Sequence, residues 1–155
     1  MVAVDRIIAT WLLASNDWRA YDRAMEMSYQ WRGPFEDAEV NALHAEGFGH
    51  QVRNDDWKAR VERHSLGWVC AYAGEDLVGF VNVPWDGGAH AFIVDLLVSH
   101  GSRRHGVGTR IIALAAAEAR AAGCEWLHAD FDEELTAFYL ESCGFVPTPA
   151  GLIAL

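Results

Sequence analysis

One segment constrains the fold of this chain more than any other: VSHGSRRHGVGTRIIALAAAEARAAG, residues 98–123. A β-branched run ends in glycines and arginines, and an alanine-rich helical pattern follows directly. Gly106 and Gly108 lack a Cβ, so an anionic ligand can approach their N–H groups closely. The start of the helix adds unpaired N–H donors and the positive end of the helix dipole, and Arg103 and Arg104 add positive charge. The segment therefore predicts a phosphate-binding loop; the alternative is an ordinary turn with solvated arginines.

Two other phosphate-binding loops are excluded by their spacing. The nucleotide P-loop needs a lysine directly after its second glycine, and the segment contains no lysine. The dinucleotide-binding fingerprint needs a third glycine three residues after Gly108, where the chain has Ile111. The loop therefore belongs to neither of these nucleotide-binding classes.

Length and charge limit the remaining possibilities. The chain has 155 residues, enough for one domain with a sizeable core, and a net charge of −10. That charge argues against nucleic acid and membrane surfaces as partners and weakly favours a cationic one. No apolar run reaches the roughly 18 residues of a membrane span, and the N-terminal RIIATWLLAS lacks the basic start of a secretory signal. Three cysteines without a close pair indicate reduced thiols and a cytoplasmic location.

Periodicity predicts the order of the elements. An amphipathic helix covers roughly residues 1–24, so that residues 1–27 form an N-terminal extension. Short helices follow in WRGPFEDAEVNALHAEGFG and in NDDWKARVERHS, the second capped by Asn54 or Asp55. GWVCAYAGEDLVGFVNVPW predicts a hairpin and AHAFIVDLLV a third strand. After the helix at 106–122 come a strand in EWLHAD, a helix through EELTAFYLESC and terminal strands in GFVPTPAGLIAL.

The loop and the element order together resemble a known family. VSHGSRRHGVGT is similar to the signature of the GCN5-related N-acetyltransferases (GNAT), with Arg103, Gly106 and Gly108 at its defining positions. AFYLESCGF resembles the family's later Phe-Tyr and Gly-Phe motif. The resemblance covers at least residues 67–145 and implies that residues 28–155 are an acetyltransferase domain. It also implies an α/β fold: a mixed, mostly antiparallel sheet with helices on both faces, splayed at the cofactor site.

The cofactor implied by this resemblance is acetyl-CoA, with its pyrophosphate on the N–H groups of residues 104–109. The pantetheine arm would pair with the strand before the loop, much as an added strand does. A backbone N–H near Leu97 would polarise the thioester carbonyl. The implied cofactor-binding residues are Leu96, Leu97, Val98, Arg103, Arg104, His105, Gly106, Val107, Gly108 and Thr109.

Tyr139 and Asp132 are the predicted catalytic residues. By analogy with the family, the Tyr139 hydroxyl is the acid for the departing thiolate. The family usually places three residues between this tyrosine and the glycine of Gly-Phe, whereas four precede Gly144 here. Asp132 lies seven residues before Tyr139, where the family often has Asn, which favours an extra residue after Tyr139, as a local bulge. The alternative is that Tyr139 is a buried aromatic beside Phe138.

Other site assignments stay open in the sequence. The candidates for the general base are Asp95, His90, Asp130, Asp132, His44 and Glu39. The histidines and cysteines show no close metal-ligand spacing, so no metal is predicted. Six aromatic residues have two possible interpretations: they line an aromatic pocket for an amine, or they pack in the core. They are Trp31, Trp57, Trp68, Trp85, Phe35 and Phe48.

The predicted activity is transfer of an acetyl group from acetyl-CoA to an amine, on a small molecule, by direct attack in a ternary complex. One alternative is an enzyme that acetylates a protein N-terminus or lysine. Another is a non-catalytic module that binds CoA or a hydrophobic ligand and regulates a partner. A homodimer, formed through the first helix or the terminal GLIAL, is a further possibility.

Overall fold

A computed structural model describes residues 26–155, and the predicted N-terminal helix lies outside these residues. The described chain folds as a five-stranded sheet with helices on both faces, which confirms the predicted α/β class. The strands are β1 (Met27–Trp31), β2 (Ser65–Ala73), β3 (Asp76–Pro84), β4 (His90–Val98) and β5 (Trp126–Ala129). The α-helices are α1 (Asp37–Phe48), α2 (Trp57–His64) and α3 (Val107–Ala121).

The sheet is mostly antiparallel. Its order is β1-β2-β3-β4-β5, with antiparallel neighbours from β1 to β4 and a parallel pair of β4 with β5. The β2–β3 hairpin turns at the predicted Ala-Gly-Glu-Asp, and α3 is the crossover that a parallel neighbour requires. β1 was not predicted, although in MSYQW large apolar or aromatic side chains (Met, Tyr, Trp) alternate with polar ones (Ser, Gln), as in a short strand.

Alternating side chains build a core on each face of the sheet. Val69 and Val81 point to the face where α3 packs through Ile111, and all three are fully buried. Cys70 and Phe80 point to the opposite face, where α1 and α2 pack. This strict alternation fixes the register, because a shift by one residue would exchange the two faces of a strand.

A buried asparagine holds α1, the following loop and α2 together. The amide of Asn41, on α1, donates to the carbonyls of Asp37 and Asp55, both at 2.9 Å. Its carbonyl oxygen accepts from the Asp55 N–H and from the indole N–H of Trp57, both at 3.2 Å. The N-cap of α2 is Asp56, whose carboxylate accepts from Ala59 N–H at 2.9 Å; the predicted caps Asn54 and Asp55 were wrong. The loop 49–56 is thereby fixed against α1.

The C-terminal segment differs from prediction. Residues 137–142 form a π-helix after a 3-10 turn at 133–135, in place of the single helix predicted. The terminal strands predicted in GFVPTPAGLIAL are also wrong, since no strand follows Ala129 in the described chain. Pro147 and Pro149 have no N–H to donate to a ladder, and residues 146–155 are exposed. This segment therefore gains no strand pairing.

Candidate active site

A cleft of about 1320 Å³ opens where β4 and β5 separate. It is bordered by the end of β4, the loop and first turn of α3, residues 130–142, and Gly47 and Phe48 from the end of α1. All the predicted cofactor-binding residues except His105 line this cleft, and so do Tyr139 and Asp132. Its volume exceeds the roughly 300–1,000 Å³ of most single-ligand sites, so it has room for more than one substrate.

The cleft exists because the pairing of β4 with β5 stops early. The parallel ladder runs from His90 opposite Trp126 to Ile93 opposite Ala129 and ends there. On its other side β4 stays paired with β3 as far as Val98. A β-bulge interrupts this pairing, because two residues of β4, Asp95 and Leu96, lie opposite the single residue Val81 of β3. The backbone of residues 94–98 therefore faces the cleft without a strand partner from β5.

The loop before α3 has the geometry of an anion-binding nest. Arg104 and Gly106 both adopt left-handed backbone, with φ of 64° and 78°. The first helical hydrogen bond runs from Arg110 N–H to Gly106 O, at 3.1 Å. The N–H groups of Val107, Gly108 and Thr109 precede it and have no carbonyl partner within the helix. Three backbone donors and the positive end of a 15-residue helix thus meet beside the cleft.

The two glycines of the loop serve different purposes. A Cβ at Gly106 would meet nothing within 4 Å, so this residue is required for its positive φ. A Cβ at Gly108 would lie 3.1 Å from Cζ of Phe138, tighter than ordinary van der Waals contact. Gly108 therefore allows α3 to approach Phe138, which the sequence argument about ligand access had not anticipated.

Arg103 is exposed, and a hydrogen bond holds its side chain to the end of the strand. Its Nε donates to the carbonyl of Val98 at 2.9 Å, so the charge lies at the end of β4. The same turn is braced against α1, since the backbone N–H of His100 donates to the Glu46 carboxylate at 2.6 Å and lowers the pKa of Glu46. The side chains of His100 and Glu46 also pair. His105 is exposed and does not border the cleft.

The extra residue after Tyr139 is taken up by the π-helix. Cys143 N–H donates to Phe138 O at 3.0 Å, a bond across five residues where an α-helix would span four. The wider turn accommodates one more residue between Tyr139 and Gly144 without displacing Tyr139 from the cleft wall. This is a local bulge of the kind predicted from the spacing of Asp132.

Tyr139 is held by an aromatic cluster. Its ring stacks on Phe131 with centroids 4.4 Å apart, and the edges of Phe138 and Phe145 pack against it at 4.9 and 5.6 Å. The side chain is 5% exposed, and this burial raises the pKa of Tyr139 to about 12. The phenol therefore keeps its proton at any ordinary working pH.

This burial predicts a loss of stability at alkaline pH. In the unfolded chain Tyr139 releases its proton near pH 10, whereas the folded protein keeps it to about pH 12. Between these values the folded state binds more protons, so the free energy of unfolding falls as pH rises. We expect Tyr139 to account for a loss of about 2–3 kcal/mol, which Tyr139→Phe does not show. Urea unfolding of both proteins from pH 9 upward measures it, and parallel curves would contradict it.

The candidate bases separate into two groups. Asp95, Asp130 and Asp132 border the cleft, and His44 Nε2 lies 3.5 Å from Asp95 Oδ1. The other two candidates are occupied elsewhere: His90 pairs with His128 at 2.8 Å, and Glu39 accepts the backbone N–H of Glu36 at the start of α1. The sequence could not make this separation, because it depends on which strand ends meet at the cleft.

Three of the four tryptophans considered for a shared pocket, Trp31, Trp57 and Trp68, pack in or against the core, whereas Trp85 is exposed. Trp57 is fully buried against Phe80, and the indole N–H of Trp68 donates to the Gly33 carbonyl at 2.8 Å. Trp31 covers Gly67, where an added Cβ would meet its ring. Of the six aromatic residues considered for an amine pocket, Phe48 borders the cleft.

Within residues 26–155 no three histidine, cysteine or acidic side chains are grouped so that they could hold a metal ion. In the same range, no helix has both the length and the apolar character needed to cross a membrane.

Comparisons with known proteins agree with this geometry. The model of the acetyltransferase (GNAT) family matches residues 16–145. No curated protein sequence matches significantly. A GNAT-family acetyltransferase from Streptococcus pneumoniae is similar in structure, with a TM-score of 0.68, 19% identity, and coverage of 84% of this chain and 98% of that one.

Two further solved structures cover 84% of this chain. Glucosamine-6-phosphate N-acetyltransferase from Arabidopsis thaliana matches over 98% of its own length with a TM-score of 0.63 and 15% identity. An aminoglycoside N-acetyltransferase in complex with CoA matches over 94% of its length with a TM-score of 0.67 and 18% identity. At these identities the likeness shows a shared fold.

Proposed function

Because the chain belongs to the GNAT family of acetyltransferases, we propose that it transfers an acetyl group from acetyl-CoA to the amine of a small molecule, within a ternary complex. One observation carries the proposal: the nest-like loop before α3, the unpaired edge of β4 and Tyr139 border the same cleft. Each of these three features fits a different part of the cosubstrate or of the reaction.

The loop fits a pyrophosphate. The N–H groups of Val107, Gly108 and Thr109 and the dipole of α3 favour an anion at this point. Arg103, fixed to Val98 O, and Arg104 add positive charge beside it. Gly106 allows the loop its left-handed turn, because a φ of 78° disfavours any residue with a side chain.

The edge of β4 fits an extended arm with amide groups. Residues 94–98 present backbone N–H and C=O groups to the cleft beyond the last pair with β5. An extended ligand can hydrogen-bond this edge as an added strand would. Bound there, acetyl-CoA supplies an activated acetyl thioester. The N–H near Leu97 is the donor that we assign to its carbonyl oxygen, where negative charge develops during acyl transfer.

Tyr139 acts on the departing thiolate by hydrogen bonding. A thiol like that of cysteine ionises near pH 8.5, whereas burial raises the pKa of Tyr139 to about 12. Complete proton transfer from phenol to thiolate would run against this difference. The hydroxyl instead donates a hydrogen bond that is strongest to a charged sulfur, and so stabilises the transition state more than the ground state.

The acceptor that fits best is a small cationic amine. Asp95, Asp130, Asp132 and Glu134 border the cleft, and the net charge is −10, so the field attracts an ammonium group. Two of the structural neighbours are named for an aminoglycoside and for glucosamine 6-phosphate, both small amines. The charge of the cleft and these named neighbours together support a small amine as the acceptor.

Ligand-dependent unfolding tests the cofactor part of the proposal. We expect acetyl-CoA and CoA, but not NAD, to raise Tm by about 5–10 °C at 100 times Kd. Gly106→Ala weakens this binding about tenfold or more, because loss of one charge-assisted hydrogen bond costs about 1.5 kcal/mol or more. The matched control is Gly123→Ala, at the other end of α3, where φ is 94° and a Cβ also meets nothing.

Both variants impose similar backbone strain, so both lose about 1 kcal/mol of stability, and only Gly106→Ala loses the ligand shift. Equal ligand shifts in the two variants would remove the loop from the cofactor site. Thiol release with an amine panel (an aminoglycoside, glucosamine 6-phosphate and a polyamine) then tests the acceptor. Binding of acetyl-CoA without turnover of any amine or of a peptide N-terminus would favour a regulatory binding module.

A further inference from the structure

A chain of three polar side chains leads from the cleft to the loop that follows α1. Asp95 borders the cleft, and its Oδ1 lies 3.5 Å from Nε2 of His44. Nδ1 of His44 lies 2.7 Å from Nε2 of His50, and Nδ1 of His50 lies 2.7 Å from the carbonyl oxygen of Gln51. A base that acted on the substrate alone would need Asp95 or His44 but not His50, whose ring nitrogens pair with His44 and with the loop backbone.

The carbonyl at the end of this chain decides where the protons are. Gln51 O can only accept, so His50 carries its proton on Nδ1, and its neutral ring accepts at Nε2. His44 must then donate from Nδ1. The second nitrogen of a neutral His44, Nε2, therefore has a lone pair that points toward the Asp95 carboxylate.

Two basic groups thus face one another with space for one proton between them. With that proton, an imidazolium pairs with a carboxylate; without it, the pair is a strong acceptor at the edge of the cleft. Asp95 is fixed in this role by the β4 bulge, where its φ is 56°. Left-handed backbone strains a non-glycine residue, and such strain concentrates at functional sites.

We propose that Asp95 and His44 together accept the proton of the acceptor ammonium, and that His50 is the positioning residue that keeps His44 in the accepting tautomer. The nitrogen–hydrogen bond of the ammonium breaks, its electron pair stays on the amine nitrogen, and the proton is held between Asp95 Oδ1 and His44 Nε2. The neutral amine is then the nucleophile. The inference rests on the proposed function and names the base for it.

The surroundings of His44 are otherwise apolar or engaged. Its ring packs on Phe48, with centroids 4.6 Å apart, and on Trp57 from α2 at 5.4 Å. The titratable groups that contact it in the described structure are Asp95 from β4 and His50 from the loop after α1. Glu46, further along α1, is engaged with His100. Asp95 and His50 are therefore the titratable groups that face His44.

The first test reads the tautomer and needs no substrate. In ¹⁵N-histidine NMR of the full chain, we expect neutral His44 to carry its proton on Nδ1, opposite to the tautomer that free histidine favours. His50→Phe removes the acceptor and moves the proton to Nε2, whereas the amide oxygen of His50→Gln can still accept and retains Nδ1–H. A wild-type His44 with its proton on Nε2 overturns the proposal.

The second test follows acetyl transfer to the best amine of the panel across pH. Asp95→Asn lowers kcat about 100-fold or more and removes the rise of kcat/KM with pH, because a general base contributes about 100- to 10,000-fold. His50→Phe lowers kcat roughly 10- to 100-fold and shifts that rise, and His50→Gln recovers most of the loss. The matched control is His90→Phe, in the remote His90–His128 pair, with an unchanged profile.

The two proposals fail in different ways. Absence of an acetyl-CoA shift and of thiol release in the wild type contradicts the proposed function, while the NMR result still decides the tautomer. Unchanged pH profiles in Asp95→Asn and His50→Phe, with an intact acetyl-CoA shift and active wild type, contradict the assignment of the base alone.

Discussion

Tyr139→Phe lowers kcat for acetyl transfer about 100- to 1,000-fold and leaves the acetyl-CoA-induced rise in Tm unchanged. The magnitude is that of one preorganised hydrogen-bond donor to charge that develops in the transition state. Phenylalanine keeps the stacking on Phe131 and the edge contacts of Phe138 and Phe145, so the aromatic cluster stays packed. Steady-state kinetics with the best amine of the panel, beside thermal unfolding with acetyl-CoA, measure both effects.

The control is Phe131→Leu, which loosens the stack without removing a hydroxyl. Its main effect is on stability, with kcat reduced far less than in Tyr139→Phe. If Tyr139→Phe keeps kcat within a factor of three of wild type, the tyrosine is a packing residue of the cleft wall, which was the alternative interpretation of its sequence position.

Local patterns predicted the parts of the site that are themselves local. The glycine–arginine loop, the helix behind it and the strand before it are contiguous, and their turn chemistry is written in adjacent residues. The hairpin of β2 and β3 was likewise predicted from its two strand patterns and the Ala-Gly-Glu-Asp turn between them. Such features need no knowledge of what lies across the fold.

The parts that failed depend on distant contacts or on competing local chemistry. Asp95 and His44 were both named as candidate bases, but their pairing was not predicted, because it depends on the β4 bulge that brings a residue of the sheet up to α1. His50 was missed as a site residue, because its role comes from a loop fixed by Asn41. The terminal strands failed because apolar residues alone predicted pairing where prolines at 147 and 149 prevent it.

Two single-residue deletions in the π-helix test whether its wider turn positions Tyr139 or only accommodates an extra residue. Deletion of Glu141 removes one exposed residue between Tyr139 and Cys143, so the bond from residue 143 to Phe138 O can close over four residues as in an α-helix. Tyr139 precedes the deletion and keeps its direction. We therefore expect acetyl transfer within about fivefold of wild type, because nothing that borders the cleft has been removed.

Deletion of Ala137 removes an equally exposed residue from the same π-helix, but before Tyr139. One residue of helix is about 100° of rotation, so Tyr139 turns away from Phe131 and from the cleft. We expect activity to fall about 100-fold or more and stability to fall by about 3 kcal/mol, the range for loss of a buried aromatic. Steady-state kinetics and urea unfolding of both deletion variants measure these two effects. If the Glu141 deletion is the inactive one, the π turn itself positions the tyrosine, and the extra residue is a functional requirement rather than an accommodated insertion.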